Sequence, residues 1–455
     1  MDQWCDPDDR KCHRRRTGRA DRGTMVATEE LLRRRLATEL ADKGAIISPE
    51  LLMAFESVPR HVFVPKFFLH SDGGGMRAVD STDGDWLDRA YQDLTLVTQL
   101  DGDDARWTEM RTSGPAPGRP TSSSTQPLLM AWMLEALSLQ PSHRVLEIGT
   151  GTGYNAALLT HRLGATQVTS IDADETLVHR ARSTLAAVGY HPSVHTHDGT
   201  RGFPDNAPYD RIIATCSFPR IPLAWLAQTK PGGLILSHVY TDFDGGGLAL
   251  LTVADDGSAN GPFLPEYGAF MPHRGFPAPD TLALLQRALR DPDDGHTTPT
   301  RLTPNDLTGE HFPLFAALRL ADTAMHWFQP EGAPAMQTWL LGRDGSWAYH
   351  TYADDGLAAV QGGPRRLWTE VEHAYDEWIA AGSPPRHQIG LTVATDGSHR
   401  VWTDTTCPPR FWSLAPVPLS VSAGRPGATR RPQDGSQWAA AGLAGVPAAP
   451  RQPTR

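Results

Sequence analysis

From Thr28 onward Leu31, Leu32, Leu36 and Leu40 recur at helical spacing, with Arg33 to Arg35 on the opposite side, and predict an amphipathic helix. Ser48-Pro49-Glu50 opens a second, shorter helix, LLMAFESV, which Pro59 ends. Between Ser71 and Pro120 the apolar pattern thins into Gly, Asp, Pro and Ser, and a connection this long is functional or disordered. From Gln126 to Val253 short apolar runs alternate with helical stretches. HRVLEI, QVTSID, PSVHTH, YDRIIATC and GGLILSHV read as strands, PLAWLAQT as a helix after the fourth, and LALLTV as a late antiparallel strand. Such alternation predicts a doubly wound α/β fold whose mostly parallel sheet is covered on both faces.

After Pro272 the pattern changes. A helix, TLALLQRAL, sits in a linker, and two hairpins turn at Asp-Gly-Ser, MQTWLLGRDGSWAYHTYA and HQIGLTVATDGSHRVWTD. Between them lies an amphipathic helix, RLWTEVEHAYDEWIAAG. The expected organisation is a disordered N-terminus (1–24), an N-terminal helical and substrate-loop region (25–125), an α/β core (126–275), a linker (276–311), a small C-terminal α+β domain (312–420) and a disordered tail (421–455). Met25, directly before a good helix, is a second candidate start.

Composition narrows the function. With 42 Lys plus Arg against 52 Asp plus Glu, the formal charge is −10, which argues against a sequence-independent nucleic-acid binder. Four scattered cysteines (Cys5, Cys12, Cys216, Cys407) do not make a disulfide framework, and a reducing compartment is expected. No apolar run approaches the ~20 residues that span a bilayer, and the charged N-terminus lacks a signal-peptide core. A cytoplasmic protein without membrane attachment is expected. Cys5, Cys12 and His13 fit no common zinc spacing, so no metal is expected.

The sharpest local signal is Val145 to Tyr154, VLEIGTGTGY, an apolar strand running into three alternate glycines with a helix directly behind. Glycines there let the chain turn tightly and expose main-chain N–H groups to a ligand at the helix N-terminus. Asp172, about 20 residues on at the end of the second strand, can accept both hydroxyls of a ribose. Asp198-Gly199 follows the third strand, where a carboxylate can receive an adenine amino group. The glycine spacing is not that of nicotinamide sites, and Glu147-x-Gly149-x-Gly151-x-Gly153 is the S-adenosyl-L-methionine form. Glu147 can bind the methionine ammonium directly or through water. The cofactor-binding set is therefore Glu147, Gly149, Thr150, Gly151, Gly153, Asp172, Asp198 and Gly199.

Several strings in order make the stretch from Leu51 to Pro272 resemble the protein-L-isoaspartate O-methyltransferase family. They are VPRHVFVP (Val58 to Pro65), Tyr91-x-Asp93, Ser-Thr-Gln-Pro (Ser124 to Pro127), VLEIGTGTGYNAALL, Asp198-Gly199, APYDRIIATCSFPRIP and QTKPGGLIL. The resemblance implies a class I S-adenosyl-L-methionine-dependent methyltransferase fold and methyl transfer to a carboxylate of a peptide. A carboxylate is already ionised at neutral pH, so no catalytic base is expected and positioning supplies most of the acceleration. The substrate-holding hydroxyl of the family maps to Thr125, with Ser123 and Ser124 beside it. Thr125 also reads as a plain helix N-cap before Pro127.

The match breaks on the substrate side. Tyr91 and Asp93 are separated from Thr125 by a long insertion, LDGDDARWTEMRTSGPAPGRPTSS, and the run before the helix is Thr121-Ser122-Ser123-Ser124-Thr125. The chain also continues well past the family's usual end. With the string VQGGPRRLW (Val360 to Trp368), these traits resemble the methyltransferases that accompany ATP-grasp enzymes in maturation of ribosomal peptides, the graspetides. That implies an aspartate methyl ester on a cyclised precursor peptide, closing to an aspartimide. Repair of isoaspartate in damaged proteins is the alternative, and a non-catalytic peptide binder with a retained cofactor fold the alternative of another class. Seven C-terminal tryptophans (Trp327, Trp339, Trp347, Trp368, Trp378, Trp402, Trp412) line a peptide groove or fill a small core. Ala214-Thr215-Cys216-Ser217 matches neither the cysteine context of cytosine methyltransferases nor an amino-methyltransferase string, so nucleic acid is a poor substrate candidate. His161, His179, His195 and His197 show no ligand spacing.

Overall fold

A computed structural model describes residues 17–414 except 244, 277–278, 292–294, 321, 331–335, 354–355, 404 and 406–408. Cys5, Cys12, His13 and Cys407, and the tail expected over 421–455, lie outside the described residues.

Near the N-terminus the leucine-patterned helix spans Thr17–Asp42, starting well before Thr28, and buries Leu32, Leu36 and Leu40 while Leu31 stays exposed. The second helix, Pro49–Ser57, begins at Ser48 as its sequence suggests. The Ser48 hydroxyl does not cap it; it donates to Glu135 Oε1 at 2.9 Å, as do the amides of Ile47 and Ser48. One carboxylate thereby ties the inter-helix turn to the helix Pro127–Ala136.

The Gly- and Ser-rich stretch is structured. Strands β1 (Lys66–His70), β2 (Met76–Asp80), β3 (Leu96–Leu100) and β4 (Pro120–Ser124) form an antiparallel sheet in the order β2-β1-β3-β4. The sheet packs on both faces, Phe67, Val79 and Leu96 joining the main core and Phe68, Met76, Ala78 and Leu100 packing on Met110 and Trp107 of the inserted helix Ala105–Ser113. Arg111 of that helix pairs with Asp83 at 2.8 Å and donates to Ala78 O at 3.2 Å, fastening the insertion to the sheet.

The alternating region builds β5 (Val145–Ile148), β6 (Val168–Asp172), β7 (Ser193–Thr196), β8 (Tyr209–Phe218), β9 (Thr229–Thr241), β10 (Gly245–Val253) and β11 (Ala259–Pro262). The order β10-β9-β8-β5-β6-β7 is parallel from β9 to β7, with β10 antiparallel as its sequence suggests. Side chains alternate across the sheet. Ile212, Ile235 and Ala249 belong to one buried cluster and Ile213, Leu236 and Leu248 to the other.

Beyond β11 the chain divides differently from the expected linker and single C-terminal domain. The stretch 276–311 contributes β12 (His296–Pro299), which pairs with β16 (Gly356–Gly362) in a five-stranded sheet completed by β13 (Thr323–Phe328), β14 (Gln337–Gly342) and β15 (Trp347–Ala353). The two Asp-Gly-Ser hairpins enter different sheets. The first is β14–β15; the second, β17 (Ile389–Val393) and β18 (His399–Thr403), joins β11 and, with β19 (Arg410–Ser413), extends the central sheet to ten strands. The open edge of β11 accepts β17 because Ile389, Leu391 and Val393 complete the same buried cluster as Val253 and Phe263. Met325, Leu340 and Trp368 belong to that cluster too, so the C-terminal region shares one core with the central sheet. Among the tryptophans, Trp339, Trp347 and Trp368 are buried, and Trp327, Trp378 and Trp412 pack against the core. Core filling accounts for these six. No helix among the described residues is long and apolar enough to cross a membrane.

Candidate functional site

The loop after β5 is shaped by its neighbours. Ile171 O of β6 accepts the amides of Gly149 and Thr150 at 2.8 and 3.1 Å, and Gly149 O accepts from Thr215 Oγ1 at 2.6 Å. At Gly149 φ is +104°, and a Cβ would lie 2.5 Å from that hydroxyl, so only glycine fits. A register shift between Ile213 and Ser217 on the β9 side bends the end of β8 over this loop. The result is a cleft enclosing about 920 Å³, part of it open to solvent at the mouth.

Of the residues singled out by sequence, Ser123, Ser124, Thr125, Glu147, Gly149, Thr150, Gly151, Asp172 and Gly199 all line this cleft. Gly153 does not. It opens the helix Tyr154–Leu163 at φ +86°, and its missing Cβ makes room for Ala181, 3.2 Å away, so its part is helix packing. Asp198 stands at the rim with its side chain 51% exposed, its Oδ1 accepting from the Thr200 amide and hydroxyl at 2.9 and 2.8 Å. Burial opposes ionisation of Asp198, but those two donors outweigh it and hold its pKa below the usual range.

Glu147 is fully buried. Oε1 accepts from Asn155 Nδ2 at 2.7 Å and Oε2 from Ser170 Oγ at 2.6 Å. Since the Ser170 proton points to Glu147, the 2.6 Å contact between Thr150 Oγ1 and Ser170 Oγ has Thr150 as donor. Burial pushes the Glu147 pKa up to about 7, with the Ser170 and Asn155 bonds pulling the other way. Asn155 Oδ1 is buried without a hydrogen-bond partner, an acceptor at the cleft wall beside that carboxylate. Asp172 accepts from the Gly151 and Asp174 amides at 2.9 and 3.0 Å, and burial raises its pKa against them.

Opposite stands the serine run on β4. Ser122 accepts from Thr98 at 3.3 Å, whereas Ser124 Oγ is buried with no partner. The helix N-cap position is Gln126, not Thr125, and Asp93 caps the helix from outside, accepting from the Leu128 amide at 2.9 Å and Gln126 Nε2 at 3.2 Å. This explains Tyr91-x-Asp93 in structural terms. Arg60, from the string VPRHVFVP, is fully buried and donates to Ala90 O, Gln92 O and Leu94 O at 2.9, 2.9 and 2.8 Å, and to Thr125 O at 3.4 Å. It locks the Tyr91 loop against the start of the helix. Burial lowers its pKa to about 10, still charged at neutral pH.

Sequence reasoning missed the segment after β11. Ser217 of β8 donates to Met271 O and accepts from the His273 amide, both at 2.9 Å, which lays Met271 to Arg274 along the cleft. Arg274 donates to Asp174 Oδ2 at 2.9 Å and Gln99 Oε1 at 3.1 Å, joining this strap to the helix after β6 and to the N-terminal sheet. Nothing in MPHR marks it as cleft-forming, because its place depends on pairing with the bent end of β8. His197 also lines the cleft; His195 meets Ser193 at 2.7 Å and His161 meets Tyr190 at 2.9 Å. Cys216 lies on the floor, its thiol pushed well up by burial, which makes it inert as a nucleophile. Among the described residues no three His, Cys, Asp or Glu side chains gather as a metal site.

Residues 112–245 match the family model for protein-L-isoaspartate(D-aspartate) O-methyltransferase. A protein-L-isoaspartate O-methyltransferase of Methanothermobacter thermautotrophicus is 33% identical over 212 residues, 46% of this chain and 80% of the relative. One from Synechococcus is 35% identical over 198 residues, covering 43% of this chain and 65% of the relative, so the chain spans just under two thirds of that protein. A solved protein-L-isoaspartate O-methyltransferase superposes with TM-score 0.49 at 21% identity, over 82% of this chain and 99% of the other.

Proposed function

The chain belongs to the protein-L-isoaspartate O-methyltransferase family, and we propose that it methylates the side-chain carboxylate of an aspartate in a peptide. Its cofactor is S-adenosyl-L-methionine, and the doubly wound sheet is the class I methyltransferase fold. That cofactor supplies, when bound, an electrophilic sulfonium methyl. The residues fit it. The unpartnered Asn155 Oδ1 next to Glu147 suits an ammonium donor, Asp172 suits a pair of hydroxyls, and Asp198 suits an amino group at the other end of the cleft.

The observation that carries the reading is Ser124, a buried hydroxyl with no partner on the wall facing the β5 loop. A carboxylate accepts such a donor well, and charge-assisted bonds of this kind are about twice as strong as neutral ones. Ser124, with Ser123 and Thr125 beside it, holds the acceptor oxygen towards the methyl group. No side chain has to remove a proton, since the carboxylate is ionised near pH 7. Arg60 and Asp93 act through backbone, holding the serine run and the helix start in place. Alignment and exclusion of water then supply the acceleration.

For the substrate we propose a cyclised ribosomal precursor peptide, whose ester closes to an aspartimide. The β4 serine run and the inserted helix Ala105–Ser113 support this, because the first forms the substrate wall and the second packs on the sheet that carries it, while the cofactor wall keeps its motif residues. Repair of isoaspartyl proteins stands beside it, favoured by the identity to relatives named protein-L-isoaspartate O-methyltransferase. We place the activity in the cytoplasm and the C-terminal region in peptide recognition. Its described end reaches the loop after β8, where Arg220 donates to Leu414 O at 3.1 Å. The deciding measurement is methylation by mass spectrometry with S-adenosyl-L-methionine and two peptides, one linear and isoaspartyl, the other ATP-grasp-cyclised. A gain of one methyl (~14 Da) and later loss of methanol on the cyclic peptide alone supports maturation. Turnover of the isoaspartyl peptide alone supports repair, and no product on either rejects both.

A further inference from the structure

His273 lines the cleft described above with a buried ring nitrogen that has no partner and that the reaction leaves unused. Its ring stacks on Phe218 with centroids 4.8 Å apart and 25° between planes, and its side chain is only 10% exposed. Its main chain is pinned, the amide donating to Ser217 O at 2.9 Å. The Gly275 amide donates to Nδ1 at 3.1 Å, so that nitrogen is an acceptor and a neutral ring carries its proton on Nε2. Burial lowers the His273 pKa against the pull of Asp198 and Asp172, which keeps the ring neutral near pH 7. Nε2 is buried without a partner, and the nearby Asp198 Oδ1, at 3.8 Å, is beyond hydrogen-bond reach. A Cβ on Gly199 would lie 3.3 Å from this nitrogen, which places it at the Asp198-Gly199 end of the cleft.

An unmet N–H beside a carboxylate is a donor–acceptor pair. Its complement is a flat edge that offers an acceptor next to a donor. The Watson–Crick edge of adenine does so with ring nitrogen N1 and the exocyclic amino group, and hypoxanthine reverses both. Resting on the cofactor reading above, we propose that His273 is a specificity residue for the cofactor's purine. Its Nε2–H donates to adenine N1 while Asp198 accepts from the amino group. The pair selects adenosyl over deaminated or N1-lacking cofactors.

Calorimetric titration with S-adenosylhomocysteine, its 1-deaza and 7-deaza analogues and S-inosylhomocysteine tests this without turnover. The wild-type protein is expected to bind the 1-deaza and inosyl compounds about tenfold more weakly than the parent, and the 7-deaza compound equally well. His273→Leu should bind the parent about tenfold more weakly and no longer distinguish it from the 1-deaza analogue. His273→Gln, which restores an N–H donor, should recover part of the preference and guards against a leucine variant that misfolds. Discrimination against the 1-deaza analogue that is absent in the wild type, or survives in His273→Leu, overturns the assignment with the cofactor reading intact. Failure of the wild type to bind S-adenosylhomocysteine overturns both.

Discussion

The two walls of the cleft treat their carboxylates and hydroxyls differently. On the cofactor wall the chain satisfies its own carboxylates: Glu147 has Asn155 and Ser170, and Asp172 has the Gly151 and Asp174 amides. On the facing wall Ser124 is left without a partner. A saturated carboxylate is held in one orientation and presents a fixed charge pattern to a ligand common to all reactions of this type. An unsatisfied hydroxyl costs stability until a substrate arrives, and so reports where chemistry specific to this protein takes place. The first wall is also where the sequence keeps its motif, and the second is where it departs.

The harshest way to break this contrast is to remove the part that holds the second wall. Arg60→Met leaves the carbonyls of Ala90, Gln92 and Leu94 without their donor, and a loss of about 3–5 kcal/mol in urea unfolding is expected. A smaller loss, below about 1 kcal/mol, would remove Arg60 from the scaffold.

Glu147→Gln tests the cost of the first wall. A carboxylate whose pKa rises from 4.5 to about 7 on folding is protonated in the native state while already ionised in the unfolded one. Its contribution to stability therefore falls as pH rises from 4.5 to 7, by about 3 kcal/mol, and is level beyond. The glutamine variant should lose that slope in pH-dependent unfolding while binding S-adenosylhomocysteine more weakly. An unchanged slope would mean that Glu147 titrates normally.

Asp172→Ala removes the acceptor of two backbone amides and the proposed hydroxyl contacts, and cofactor affinity should drop by about 10–100-fold in calorimetry. Affinity within twofold of wild type would break the assignment of this wall to the cofactor. The smallest effect sharpens the comparison most. Ser124→Ala deletes a hydroxyl that has no partner, so the melting temperature should hold or rise slightly, cofactor affinity should stay, and kcat/KM should fall about tenfold. A drop in cofactor affinity instead would move Ser124 to the other wall.

Legibility followed periodicity. Strands β5, β6, β8 and β9 were readable because buried parallel strands carry apolar runs between helices, and Glu147 and Asp172 could be placed because such strands end at a common crevice. The β1–β4 sheet was not, since its strands are five residues long, lie among Gly, Asp and Ser, and in the case of β4, PTSSS, carry no apolar run. The Ser48 hydroxyl donating to Glu135 instead of capping its helix, and Asp93 replacing Thr125, show the same limit: the partners a polar group finds at a helix start are decided by a distant segment.

By itself the sequence determined the doubly wound core, the glycine turn behind β5, the carboxylates at strand ends and the two Asp-Gly-Ser hairpins, because each is a local matter of period, backbone freedom or turn chemistry. Only the tertiary structure decided that the second hairpin extends the central sheet, that Gly153 serves helix packing, and that Met271 to Arg274 closes the cleft with an unmet imidazole N–H. These depend on open strand edges and desolvated hydrogen-bonding groups, and both are properties of what the folded chain brings together.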